Sequence, residues 1–88
     1  MGSSEDRTGD LEVFVVVADT GSFSAAGRSL DLAPSSVGRI IDRIESRLGV
    51  RLLLRSTRSL ALTAEGSAYL SAARRILADL REITDPWR

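Results

Sequence analysis

Neither cysteine nor histidine occurs in this sequence. The missing thiols exclude disulfides and thiolate zinc sites, and the missing imidazoles remove the usual base of a serine or cysteine nucleophile. A metal held by carboxylates alone would want acidic residues at calcium-loop spacing, and no acidic cluster has it. The opening residues Met1-Gly2-Ser3-Ser4-Glu5-Asp6 lack the serine or threonine that a myristoylation signal carries at its sixth position. There is no apolar block of signal-peptide or membrane-spanning length, and no phosphate-cradling glycine loop of the P-loop kind. These absences set an enzyme aside, call for no cofactor and no metal, and make the cytoplasm the expected location.

What remains is a chain of 88 residues with 43% hydrophobic content, enough for one small globular domain. A domain of this size buries only about 60% of the surface its unfolded chain exposes, so its core is thin and a partner chain can add burial. The formal net charge is zero, but its distribution is uneven. Between Arg28 and Arg58 seven arginines face three carboxylates, a surplus of four positive charges. The remainder carries five arginines and nine carboxylates, which offsets it. A basic middle third in a neutral chain is the footprint expected when one face meets phosphate.

Residues 1–9 are polar and aperiodic and read as a flexible leader. Asp10 is placed to cap a helix from Leu11 to about Asp19, with Gly21 beyond its end. The run Val13-Phe14-Val15-Val16-Val17 has strand propensity, and so apolar a stretch leaves helix and strand open on periodicity; a buried helix is the expectation. Ser24 is a candidate N-cap for a short helix ending near Leu30, in which Ala25-Ala26-Gly27 permits close approach of another helix. Asp31-Leu32-Ala33 reads as a turn, and Pro34 suits the first position of a third helix running to about Leu48. In that helix Val37, Ile41, Ile44 and Leu48 form one apolar stripe. Opposite lie Ser35, Ser36, Arg39, Arg43 and Arg47. An aliphatic back with an Arg/Ser front fits the DNA major groove, where arginine forks onto guanine. A solvated arginine face fits the same pattern.

Gly49 ends the third helix. Arg51-Leu52-Leu53-Leu54-Arg55 and Leu60-Ala61-Leu62 then read as two short strands around Ser56-Thr57-Arg58-Ser59, either an ordinary polar turn or a wing able to lie on the sugar-phosphate backbone. Thr63 caps a last helix, with Glu65 favourable in its first turn, over 63–84; 85–88 is a tail opened by Asp85-Pro86. Leu70, Ala73, Leu77 and Leu80 follow the alternating three–four spacing of a coiled-coil seam, flanked by Tyr69, Ile76 and Ile83. This stripe serves either a second copy of the chain or the domain's own core.

In order, the segments LEVFVVVAD, GSFSAAGRSL, APSSVGRIIDRIESRLGVRL and RSTRSLALTAEG resemble the N-terminal domain of LysR-type bacterial transcriptional regulators, from about Asp10 to Leu80. The resemblance implies a mainly α fold: a winged helix-turn-helix of three helices plus a two-stranded wing over 10–62, then a linker/dimerisation helix over 63–84. It implies that Gly27 is the small residue where the two motif helices touch, Asp31 the turn residue and Val37 a buried anchor. Double-stranded DNA with an interrupted dyad, its half-sites about one turn (~34–36 Å) apart, is the implied partner of a homodimer. Ser35, Ser36, Arg39 and Arg43 would face the groove, and Arg55, Thr57 and Arg58 the backbone through the wing, residues 55–59. Leu70, Ala73, Leu77 and Leu80 would form the dimer interface. The family usually has serine at the position of Gly38, phenylalanine at that of Leu53 and a polar residue at that of Leu54. Family members also carry a C-terminal effector-sensing domain several times larger than this chain, so no small-molecule site is expected within these residues. The alternative is a winged-helix module that binds protein rather than DNA.

Overall fold

The computed structural model describes residues 3–56 and 59–84. Its order is α1 (Ser3–Thr20), α2 (Phe23–Leu30), α3 (Pro34–Leu48), β1 (Leu53–Arg55), β2 (Leu60–Leu62) and α4 (Ala64–Thr84). Helix α1 therefore begins at Ser3 rather than Leu11, and residues 3–9 are helical, not a flexible leader. The sequence allows this: no proline interrupts the stretch, and Gly9 alone costs only about 1 kcal/mol. Asp10 is consequently not a cap but an interior position. Asp10, Val13, Phe14 and Val17 are buried at helical spacing, so burial of one face overrides the strand propensity of the valine run.

The cap of α2 is Ser22, not Ser24. Ser22 is extended, and its Oγ accepts the Ala25 N–H at 2.9 Å, the N-cap-to-N3 bond, whereas Ser24 is exposed inside the helix. Asp31 takes the left-handed conformation (φ 60°) that a short polar side chain tolerates. The turn passes so close that a Cβ on Gly27 would stand 2.4 Å from the Leu32 carbonyl oxygen. Position 27 must therefore be glycine because turn backbone fills the space, with the Pro34 nitrogen at the start of α3 next at 3.5 Å. Val37, Ile41 and Ile44 of α3 are fully buried with Phe14, Val17, Leu52 and Leu53. Leu48, placed on the same stripe by spacing, is 45% exposed, and the helix stops one residue later at Gly49.

The strands pair antiparallel, Leu53 opposite Leu62, Leu54 opposite Ala61 and Arg55 opposite Leu60. The first strand starts at Leu53 rather than Arg51. The amides of Leu52 and Leu53 are instead taken by the Glu45 carboxylate, at 2.9 and 3.1 Å. Thr63 then welds the hairpin to α4. Its N–H donates to the Leu52 carbonyl at 3.0 Å, its hydroxyl donates to the Arg51 carbonyl at 2.6 Å, and the same oxygen accepts the Gly66 N–H at 2.9 Å. A Cβ on Gly66 would lie 2.0 Å from the Leu52 oxygen, so only glycine lets α4 start there.

Asp10 joins three helices. Its side chain is 3% exposed, and its two oxygens accept from Arg43 at 2.7 Å and Arg47 at 3.4 Å on α3. The Arg47 guanidinium also acts on the Tyr69 phenol of α4. Burial pushes that phenol above its ordinary 10.0, opposed by the Arg47 guanidinium and reinforced by the Asp10 charge. The Tyr69 ring stands edge-on to Phe14 at 5.0 Å. At the far end of the α1–α4 contact, Arg74 pairs with Asp19 at 2.6 Å, both half-exposed.

These contacts set the expected stability of four variants. Gly66→Ala is expected to cost about 1–3 kcal/mol, because backbone rather than a movable side-chain tip blocks the new methyl. Gly9→Ala meets nothing within 4 Å and should stabilise by about 0.5–1 kcal/mol. Urea denaturation of the three chains checks both, and a neutral Gly66→Ala would disprove the close approach. Asp10→Asn should cost about 1–3 kcal/mol, the scale of charge-assisted hydrogen bonds. The two arginines stay 58% and 37% exposed and regain water, so the larger penalty of a sealed ion pair does not apply. Arg43→Ala, which leaves Arg47 on Asp10, should cost under about 1 kcal/mol; a reversed order of the two variants would show that Arg43 dominates the cluster.

Candidate nucleic-acid interface

The first two turns of α3 leave the domain with an unburied polar edge. Ser35 and Arg39 are exposed and Ser36 is half-buried, while Val37 between them anchors the helix to the core. Ala33 precedes Pro34 as N-cap residue and supplies no side-chain cap, so the positive end of the helix dipole stays uncapped beside the two serines. Among the described residues Arg39 has no ion-pair partner. Gly38 leaves the Phe23 ring in ordinary contact with the helix, its Cε2 3.6 Å from where a Cβ would stand.

The next arginines of α3 behave differently. Arg43, expected in the groove with Arg39, is tied to Asp10 and directed toward α1, although 58% of its side chain remains exposed. Arg47 is bound to the same carboxylate. The expected Arg/Ser front is thus divided: its N-terminal half faces solvent, and its C-terminal half is engaged within the domain.

The wing shows the same division. Arg55, expected on the DNA backbone, donates to Asp42 at 2.7 Å and Glu45 at 3.3 Å, and its guanidinium lies 5.2 Å from the centre of the Phe23 ring. Its side chain is only 29% exposed. Ser56 and Ser59 close the hairpin: the Ser56 N–H donates to the Ser59 carbonyl at 3.0 Å, and the Ser59 N–H to the Ser56 Oγ at 3.1 Å. Thr57 and Arg58 lie outside the described residues. Leu54 points outward opposite Ala61 and is 59% exposed.

On α4 the residues of the expected dimer seam are divided between the core and the surface. Ala73 is fully buried, Leu70 packs on the core, and Leu77 and Leu80 line a groove with Thr8 and Glu12 of α1. The edge left open carries Ile76 and Ile83, seven residues apart on one face, 44% and 71% exposed.

Spacing offered signals for the residues not anticipated. Asp10 precedes Val13, Phe14 and Val17 by three, four and seven residues, which puts a carboxylate on the buried face of α1. Glu45 follows Ile41 by one turn inside the buried stripe of α3, with Arg51 and Arg55 downstream. An acid at a core position beside several arginines predicts an internal ion pair.

Residues 8–67 match the family model described as "Bacterial regulatory helix-turn-helix protein, lysR family". The HTH-type transcriptional regulator CrgA of Neisseria meningitidis is 51% identical over 71 residues, 81% of this chain and 24% of that protein. The HTH-type transcriptional activator AaeR of Escherichia coli is 38% identical over 78 residues, 89% of this chain and 25% of that protein. The chain thus spans about a quarter of the length of these curated relatives. Among solved structures, a CbnR DBD–DNA complex superposes with a TM-score of 0.86 at 38% identity, covering 90% of this chain and 91% of that one. A BenM DBD/catB site 1 DNA complex gives 0.85 at 30% identity, covering 88% and 86%. With four helices and a two-stranded antiparallel wing in the same arrangement, this chain belongs to the LysR family of bacterial regulatory helix-turn-helix proteins.

Proposed function

We propose that this chain binds double-stranded DNA sequence-specifically, as the reading module of a dimeric transcription regulator acting in the bacterial cytoplasm, and that it is not an enzyme. The observation that carries this reading is the solvent-facing Ser35–Ser36–Arg39 edge at the uncapped start of a helix whose opposite face is locked in the core. Seated in a major groove, Arg39 forks onto a purine edge, the serines contact bases or phosphate, and the hairpin lies along the flanking backbone. The curated relatives support the regulatory role, and the similar domains solved with DNA support the partner. Among the described residues no helix is long and apolar enough to cross a membrane.

The dimer contact is assigned to the Ile76–Ile83 edge of α4 together with the half-exposed Leu77 and Leu80 beside it, because Ala73 and Leu70 of the expected seam are taken up by the domain's own core. Selection of random duplexes by the purified chain tests the whole reading. A two-fold symmetric motif with half-sites roughly one helical turn apart is expected. No enrichment at low salt would leave a protein-interaction module. Arg39→Ala should cost about 1–3 kcal/mol and relax preference at one base step; uniform loss on all sequences would make Arg39 a phosphate contact. In sedimentation, Ile76→Glu and Leu77→Glu should each yield folded monomers, and unfolding by Leu77→Glu would show that this position serves the domain's own core. A dimer that survives Ile76→Glu refutes the assigned edge.

A further inference from the structure

Glu45 sits on the buried side of α3 with its side chain 7% exposed, and both its oxygens are engaged. Oε2 accepts the Leu52 and Leu53 amides at the root of the wing. Oε1 lies 3.3 Å from Arg55 and 3.7 Å from Arg51. Arg55 also reaches Asp42 and stacks over Phe23, so one guanidinium ties α2, α3 and β1 together. We infer that Glu45 is the positioning residue that fixes the wing on the recognition helix, and that Arg55 is a strut in this joint, not a phosphate contact. The inference rests on the duplex binding proposed above.

Charge favours the strut. Arg51 and Arg55 against Asp42 and Glu45 sum to no net charge, so the cluster presents little attractive potential to a phosphate, and one on Arg55 would stand beside two carboxylates. Geometry agrees. A carboxylate that accepts two backbone amides and a guanidinium makes charge-assisted bonds that hold direction as well as distance. The hairpin's approach to the duplex is therefore set from inside the domain.

Glu45→Gln in the 88-residue chain tests the joint, because glutamine keeps an oxygen for the amides and removes the charge. If Arg55 were a phosphate contact, deleting a negative charge beside it would tighten DNA binding and steepen its salt dependence. The joint predicts the reverse: affinity about tenfold weaker, in the range of losing a backbone contact, with base preference retained. Hydroxyl-radical protection should fade on the backbone flanking the half-site and persist within it, a pattern that general destabilisation does not give. Arg55→Lys keeps the charge but cannot fork between two carboxylates while standing over the Phe23 ring. It should show the same loss, and the double variant should lose no more than either single one. Tighter binding by Glu45→Gln, or additive losses, overturns the inference. Should circular dichroism show Glu45→Gln unfolded, Arg55→Lys decides alone: wild-type affinity and salt slope overturn it, and weakened binding with lost flanking protection upholds it. A wild-type chain without DNA affinity overturns the underlying reading as well, which the variants by themselves do not.

Discussion

The structure depends on the burial of one stripe of α3. Val37, Ile41 and Ile44 have no solvent exposure, and each contributes roughly 1.5–3 kcal/mol by leaving water. In so small a domain no other element replaces them. Every other part is arranged around that stripe: α1 supplies Phe14 and Val17, the wing supplies Leu52 and Leu53, and Phe23 of α2 lies across Gly38. The helix proposed to read DNA is thus also the centre of the core. Its outward edge is held still because its inward edge is the part of the molecule least free to move.

That double role imposes an electrostatic condition. On a helix that buries Val37, Ile41 and Ile44, the series Arg39, Arg43, Arg47 drifts round the axis from the solvent side toward α1. Asp10 neutralises Arg43 and Arg47 there, just as Asp42 and Glu45 do Arg55. The basic surplus in the middle of the sequence is therefore partly internal. Much of it neutralises carboxylates that pin the motif, and the positive charge facing outward is smaller and more local than the arginine count suggests.

The architecture was legible because its signals are local and mutually consistent. Pro34 at the start of α3, Gly49 at its end, Asp31 in the turn and Thr63 before α4 each have a backbone reason to stand where they do. The charged partners were less legible. Asp10 and Arg43 lie 33 residues apart, and Glu45 meets Arg55 only once the hairpin has folded back. Arginine on a helix reads alike whether it faces a phosphate or a buried carboxylate, since periodicity gives its direction but not its partner. The seam on α4 was only partly legible for a related reason. A three–four repeat marks an apolar face without saying whose surface covers it: Ala73 and Leu70 serve the domain's own core, while Leu77 and Leu80 line a groove beside Thr8 and Glu12 of α1.

The weld at Leu52 limits how the parts move relative to one another. Its carbonyl accepts the Thr63 amide and lies against the bare α-carbon of Gly66, while its own amide is held by Glu45. With no side chain between them there is no slack: a roll of α4 about its long axis has to carry Leu52, and with it the root of the hairpin. The orientation of the rod and the pitch of the wing are one degree of freedom rather than two. A torque applied anywhere along the roughly 30 Å of α4 is geared to the edge of the protein proposed to rest on DNA.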